Sequence, residues 1–150
     1  MLPPIETIID NFEFIDDWEE RYRYVIELGR ALPPLPSDLQ SDANKVQGCA
    51  SQVWLDSRVD RSGPEPRLAL RGDSDAHIVR GLVALMIAMF DGKTPREASA
   101  TDALALYTKL GLAEHLTPQR SNGVRAMADR IHRDAVRLSA EVTPHDAASA

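Results

Sequence analysis

The apolar segment at residues 78–90 limits the fold of this chain more than any other feature of the sequence. Large apolar side chains occupy most of its positions, and Arg80 is its only charged residue. A helix at a protein surface keeps one polar face, so a helix that is apolar on nearly all sides is buried. A membrane span needs about 20 apolar residues, and this segment is shorter. We therefore predict a core helix that the remaining elements surround.

The sequence before this segment predicts a β-hairpin. Apolar and polar residues alternate from residue 51 to residue 59, as expected for a strand with one buried face. Residues 61–64 contain glycine and proline and form the predicted turn, and residues 67–71 form the returning antiparallel strand. A two-stranded hairpin is only marginally stable on its own. We therefore expect a third strand, at Lys45 and Val46, together with covering helices.

Helical spacing and capping residues predict the other elements. Helices are expected near residues 5–12, 17–28, 101–110 and 121–138, and a capping box at residues 94–97 starts a further short helix. The predicted fold class is α+β, with a small antiparallel three-stranded sheet covered by helices, in one domain at residues 1–138. Residues 139–150 are small, polar and interrupted by proline, so we expect a disordered tail there.

Composition excludes several classes of function. The chain has 150 residues, enough for one domain with a sizeable core, and a net charge of −6. Nucleic-acid binding requires a basic surface, so we expect no nucleic acid as a partner. With one cysteine the chain can form no internal disulfide and no multi-cysteine metal site. A free thiol suits a reducing compartment, and the amino terminus lacks the features of a signal peptide, so we expect a cytoplasmic protein with no membrane partner.

The single cysteine, Cys49, follows Gly48 at the entrance to the first predicted strand. Glycine allows the positive φ of an exposed turn, so Cys49 is a candidate nucleophile, whereas most free cysteines are buried and inert. Attack by Cys49 requires the thiolate, which a cation, a helix amino terminus or donated hydrogen bonds would favour. A hydrolase or acyl transferase that uses Cys49 and His115 is one alternative, and an interaction domain with a buried cysteine is another.

The residues around Cys49 also carry a family resemblance. Residues 48–54 read Gly-Cys-Ala-Ser-Gln-Val-Trp, which resembles the Gly-Cys-x-Ser-Gln-Val-Trp signature of the SufE/CsdE sulfur-acceptor proteins. Three further blocks, at residues 18–33, 72–82 and 115–123, resemble segments of the same family in the same order. The resemblance therefore covers nearly the whole predicted domain.

This resemblance implies a fold shared with the IscU-type cluster scaffolds and a role in sulfur transfer. Cys49 would accept a persulfide sulfur from a cysteine desulfurase of the SufS/CsdA type and relay it to a SufBCD-like iron–sulfur scaffold complex. The desulfurase carries pyridoxal phosphate, so this chain would bind no cofactor and no metal itself. We expect Cys49 to be shielded in the free protein and exposed in the complex. A free sheet edge would also allow a weak homodimer.

Five further residues are weaker candidates for the site. Arg120 matches an arginine of the family and would favour a thiolate or persulfide anion, unless it is a solvated loop residue. Asp75 matches a family aspartate and would steady the cysteine loop or cap the core helix. Gln52 would hydrogen-bond near the sulfur or stand on the polar strand face, and Gly48 would shape the turn. His115 lies in the last family-like block.

Overall fold

The computed structural model describes the backbone of residues 2–149 and the side chains of residues 2–140. In chain order the elements are α1 (Ile5–Phe14), α2 (Trp18–Arg30), β1 (Val53–Asp60), β2 (Arg67–Ser74), α3 (His77–Phe90), α4 (Pro95–Ser99), α5 (Ala103–Lys109), α6 (Leu112–His115) and α7 (Pro118–Ser149). Helix α3 contacts α1, α2, α7 and both strands. The predicted mixture of helices and an antiparallel sheet is confirmed.

Helix α3 is the buried core helix that the apolar segment predicts. Every side chain in it is buried except those of His77, Arg80 and Ala88. The guanidinium group of Arg80 pairs with Asp73 at 3.3 Å and donates to the carbonyl oxygen of Leu32 at 2.8 Å. The only charge in the segment therefore lies at the edge of the core, where it ties α3 to β2 and to the segment that follows α2.

Helices α2 and α3 approach each other closely because glycine lies on both sides of their contact. A Cβ atom at Gly29 would lie 2.7 Å from the backbone nitrogen of Gly81, and a Cβ atom at Gly81 would overlap the carbonyl oxygen of Val25. Side chains do not tolerate such short contacts with backbone atoms, so a larger residue at either position would separate the two helices.

Strands β1 and β2 form the predicted antiparallel hairpin, but β2 is longer than the alternation indicates. The register begins at Val53 opposite Ser74 and ends at Asp60 opposite Arg67. Residues 72–74, which resemble a turn into α3, continue the strand because they pair with the first three residues of β1. A Cβ atom at Gly72 would lie only 2.7 Å from a methyl group of Val83, so glycine lets β2 lie against α3.

The predicted third strand is wrong. Lys45 makes only an isolated antiparallel bridge with Trp54, so the sheet of the described residues has two strands. Two backbone hydrogen bonds accompany the bridge: Val46 donates to Val53 at 2.8 Å, and Leu55 donates to Asn44 at 2.8 Å. The chain turns immediately before and after this point, so no further residue extends alongside β1. The bridge ties the start of the cysteine loop to β1.

Helix α7 covers the sheet through the apolar face that the sequence predicts. Its buried residues are Val124, Met127, Ala128, Ile131, Ala135 and Leu138. The helix begins at Pro118, three residues before the predicted start, because Thr117 caps it by accepting from the backbone nitrogen of Arg120 at 3.3 Å. The predicted disordered tail at residues 139–150 falls mostly outside the residues whose side chains are described, so it stays a prediction.

The open edge of β2 is partly occupied by the chain itself. Leu68 donates to the carbonyl oxygen of Lys93 at 2.7 Å and accepts from Gly92 at 2.9 Å. Homodimer formation through a free edge stays a prediction. No helix in the described part of the chain is both long enough and apolar enough to cross a bilayer.

Candidate active site around Cys49

Residues 47–51 form a loop, called here the cysteine loop. It begins after Val46, which pairs with Val53, and ends at Gln52, which directly precedes β1. Gly48 has a φ of 91°, which confirms the predicted left-handed turn beside the cysteine. A Cβ atom at Gly48 would also meet the Cβ of Ala126 on α7 at 3.4 Å. Conformation and contact together favour glycine there, and the turn directs the next residue toward α7.

The Cys49 side chain is partly buried and lies against α7. Its thiol donates to the carbonyl oxygen of Gly123 at 3.7 Å, within the range of a weak sulfur hydrogen bond. A Cβ atom at Gly123 would lie 3.5 Å from Sγ, an ordinary van der Waals distance, so the sulfur lies directly beside the backbone of α7. The thiol is thus sheltered by a helix surface without being locked into the core.

Burial raises the pKa of the Cys49 thiol above its ordinary value of 9.0. Desolvation disfavours the thiolate, and the hydrogen bond to Gly123 uses the thiol proton, which only the neutral form has. In this conformation Cys49 is therefore protonated at neutral pH and a poor nucleophile. Reaction at the sulfur requires the loop to carry it into water or toward a cation.

A cavity of about 190 Å³ lies beside the thiol. Its apolar part is formed by Val79 and Leu82 of α3 and Met127 of α7, and its polar rim by Ser51, Thr117, Gln119 and Arg120. A cavity of this size holds several atoms beyond the thiol. The site can therefore accommodate a group attached to the sulfur.

Arg120 lines this cavity, so the structure brings it together with Cys49 as predicted from the sequence. One terminal nitrogen of its guanidinium group donates to the hydroxyl oxygen of Tyr22 at 3.2 Å. Tyr22, on α2, thereby holds the guanidinium group of a cavity-lining residue from a distant part of the chain. No sequence signal distinguished this tyrosine from a packing residue.

Asp75 and Gln52 anchor the carboxyl end of the cysteine loop through two hydrogen bonds. The Asp75 carboxylate accepts from the backbone nitrogen of Gln52 at 3.0 Å, and the backbone nitrogen of Asp75 donates to the Gln52 carbonyl at 3.3 Å. The Gln52 side chain is exposed, so its backbone supplies the contact. Asp75 steadies the loop and makes no side-chain capping bond to α3.

His115 is not brought to the sulfur. Its exposed ring stacks on Trp18, with centroids 4.0 Å apart and planes 20° from parallel, and it does not line the cavity. The hydrogen bond that the described residues give to the Cys49 side chain goes to Gly123. No observation favours the cysteine–histidine alternative.

Arg130 and Asp134 anchor the amino-terminal side of the same loop and were not singled out from the sequence. Arg130 donates to the carbonyl oxygens of Ala43 at 3.0 Å, Lys45 at 3.5 Å and Leu55 at 3.4 Å. It also pairs with Asp134 at 3.1 Å. Asp134 in turn accepts from Ser57 of β1 at 2.7 Å. One signal in the sequence could have identified them: an arginine stands four residues before an aspartate, so both lie on the same face of the last helix.

Among the described residues, no group of three or more histidine, cysteine, aspartate or glutamate side chains could hold a metal ion. The residues around the cavity supply a thiol, a cation and a small sheltered space.

The fold and the site define a small α+β protein built around one partly sheltered loop cysteine. The family SufE, described as an Fe-S metabolism associated domain, matches residues 6–135. An uncharacterized SufE-like protein of Rhizobium etli is 53% identical over 131 residues, covering 87% of this chain and 88% of that protein. A second, from Rhizobium meliloti, is 53% identical over 131 residues, covering 87% of this chain and 94% of that protein. The chain belongs to the SufE family.

The fold has a solved counterpart. The solution structure of a hypothetical protein from Thermus thermophilus superposes with a TM-score of 0.67, covering 91% of this chain and 97% of that one. The two sequences are 23% identical, so this similarity concerns the fold alone.

Proposed function

We propose that this chain accepts sulfur on Cys49, as a persulfide, from a pyridoxal-phosphate-dependent cysteine desulfurase and thereby stimulates that enzyme. The sulfur then passes to a scaffold complex that assembles iron–sulfur clusters. Membership of a family associated with Fe-S metabolism supports the sulfur-transfer class. The chain acts as a carrier in this proposal, and the desulfurase performs the bond cleavage that releases sulfur from free cysteine.

One observation carries the proposal: the only thiol of the chain rests against Gly123 beside a cavity, on a short loop between two anchored ends. A carrier needs a thiol that a partner can reach and that small reductants reach slowly. The Cys49 side chain makes a hydrogen bond to the carbonyl oxygen of Gly123 on α7 and packs against the edge of the core. Outward movement of the sulfur breaks these contacts and leaves the pairing of β1 with β2 intact.

The proposed transfer is an exchange at sulfur with no net oxidation. The Cys49 thiolate attacks the outer sulfur of the desulfurase persulfide, a new S–S bond forms, and the S–S bond of the donor breaks. The donor cysteine leaves as a thiolate, and the transferred sulfur becomes the terminal atom of the Cys49 persulfide. One thiolate is consumed and one is produced, so neither a reductant nor an oxidant is required.

Loop opening supplies the thiolate. Burial raises the pKa of the Cys49 thiol, and exposure of the sulfur in a complex removes the desolvation that causes the increase. The rate of exchange depends on the thiolate fraction and on access, so opening raises both together. The Cys49 thiol of the free protein is consequently less reactive than that of the docked protein.

The cavity provides shelter for the loaded carrier. A persulfide adds one sulfur atom to Cys49, and the space of about 190 Å³ beside Sγ has room for it. A persulfide ionises more readily than a thiol, and the Arg120 cation on the cavity rim favours its anion. The apolar residues that line the rest of the cavity limit contact with small reductants.

Mass spectrometry of the chain after incubation with a cysteine desulfurase, pyridoxal phosphate and cysteine tests the proposal. We expect the peptide that contains Cys49 to gain one sulfur atom, and the gain to disappear on treatment with a thiol reductant. Cys49→Ser should fold normally and lose all stimulation of the desulfurase. Full stimulation by Cys49→Ser, or absence of sulfur from the Cys49 peptide, rules out the carrier role.

A further inference from the structure

A basic groove, lined by Lys45, Gln47, Arg130, Arg133, Asp134 and Arg137, lies between the approach to the cysteine loop and α7. Its volume is about 540 Å³. We propose that this basic groove docks an acidic segment of the cysteine desulfurase, an inference that rests on the function proposed above. It places the partner against one flank of the cysteine loop.

The charge of the groove is opposite to that of the chain. Four cationic side chains and one carboxylate line it, in a protein whose net charge is −6. The cavity beside Cys49 contains one cation, and the one beneath residues 88–97 contains more acidic than basic groups. A local basic surface on an acidic protein selects the orientation in which an acidic partner segment approaches.

The basic groove has an internal support and an exposed rim. The guanidinium group of Arg130 is held by backbone carbonyls and by Asp134, and the side chain is only 17% exposed. Arg137 also lies 3.8 Å from Asp134. Arg133 is exposed and Lys45 is half-buried, and neither side chain has a hydrogen-bond or ion-pair partner among the described residues. These two residues are therefore the cations most available to a partner.

The position of the groove connects docking with the chemistry. Lys45 forms the bridge to Trp54 at the start of the cysteine loop, and Gln47 belongs both to the loop and to the groove. A partner segment in the groove therefore touches the loop within two residues of Cys49. The base of the loop is fixed by Arg130, so contact at Gln47 acts on the short segment that must move.

The test compares Lys45→Glu/Arg133→Glu with the control Arg96→Glu/Lys109→Glu. The control makes the same change in net charge at exposed residues that do not line the groove. Dissociation constants for a purified cysteine desulfurase are measured by calorimetry at low salt and at about 1 M salt, where the Debye length is about 3 Å. Stimulated turnover gives KM and kcat, and urea unfolding confirms that both variants fold.

We expect the groove variant to raise Kd and KM about tenfold at low salt with little change in kcat, and the control to resemble the original chain. The difference should shrink at high salt. The inference is overturned if the groove variant has an unchanged Kd, if the control variant loses as much affinity, or if only kcat falls. Loss of binding to a cluster scaffold but not to the desulfurase also overturns it, because the occupant is then another protein.

The experiments give different results when the docking inference is wrong and when the proposed carrier function is wrong. If only the inference is wrong, the original chain and both variants are loaded with sulfur at Cys49 equally well. If the carrier function is wrong, the original chain itself acquires no sulfur from the desulfurase, and the groove assignment falls with it.

Discussion

The Cys49 thiol and the Gly123 carbonyl oxygen lie 3.7 Å apart and form a hydrogen bond that joins the cysteine loop to α7. The two residues are 74 positions apart in the chain. Anchors on either side hold the ends of the loop, and this hydrogen bond together with the packing of Cys49 against the core holds the sulfur against α7. The reactivity of the thiol therefore depends on contacts that can be changed one at a time.

Gly123→Ala should stabilise the protein and slow alkylation of Cys49. Glycine within a helix costs roughly 0.5–1 kcal/mol relative to alanine, and the added methyl group would make an ordinary contact, 3.5 Å from Sγ. Urea unfolding and the rate of alkylation by iodoacetamide measure the two effects. Asn122→Ala, an exposed neighbour on the same helix, should leave the alkylation rate unchanged. A loss of stability in Gly123→Ala would show that the sulfur packs more tightly than the structure indicates.

Asp75→Ala should loosen the carboxyl end of the cysteine loop and speed alkylation of Cys49 severalfold. The variant loses the 3.0 Å bond from the Gln52 backbone nitrogen, a contact worth about 1 kcal/mol. Asp102→Ala is the matched control, because Asp102 accepts from a backbone nitrogen at 3.0 Å at the start of α5. Both variants should lose similar stability, and only Asp75→Ala should change the thiol. Equal alkylation rates in the two variants would show that Asp75 does not control the exposure of Cys49.

Arg130→Met should destabilise the protein by about 2–3 kcal/mol. The change keeps much of the aliphatic stem but leaves the carboxylate of Asp134, 11% exposed, without its closest cation. Three carbonyl oxygens at the base of the loop also lose their donor. Hydrogen exchange should rise at residues 43–47. Arg125→Met, an exposed residue of the same helix, should change neither measurement, and a similar loss there would mean that any arginine of α7 contributes.

The pH dependence of stability should carry the signature of the buried thiol. Burial raises the folded-state pKa of Cys49 above its ordinary value of 9.0, so the unfolded chain ionises first as the pH increases. The folded state then binds more protons, and stability falls with rising pH. The contribution of the protonated thiol is complete below the unfolded pKa and is lost as the pH passes through the folded pKa. Cys49→Ser should lack this decline, as measured by urea unfolding from neutral to alkaline pH.

Arg120→Met should shorten the lifetime of a Cys49 persulfide without preventing its formation. The variant removes the cation from the cavity but keeps the apolar stem. Tyr22→Phe should have a smaller effect in the same direction, because it removes only the hydroxyl that Arg120 contacts at 3.2 Å. Decay of the loaded form in a dilute thiol is followed by mass spectrometry. An unchanged lifetime in Arg120→Met would assign Arg120 a packing role.

Local sequence patterns were sufficient to predict the helices and strands that bury one face or all faces. The apolar segment at residues 78–90 predicts α3, and the alternation at residues 51–59 predicts β1, because burial imposes a period on the sequence. The prediction of a third strand was wrong for the converse reason. Two residues carry no period, and whether the chain at Lys45 continues along Trp54 depends on turns that other contacts determine.

The features of the candidate site also divide into those that the sequence predicts and those that only the tertiary contacts show. The sequence by itself determined that any thiol chemistry of this chain belongs to Cys49, since there is no other thiol, and that Gly48 allows the turn beside it. Only the tertiary structure decided that the sulfur rests on Gly123, that Arg120 and not His115 shares its cavity, and that Arg130 anchors the loop. Those contacts join residues far apart in the chain, and the packing of α7 across the sheet, rather than any local preference, brings them together.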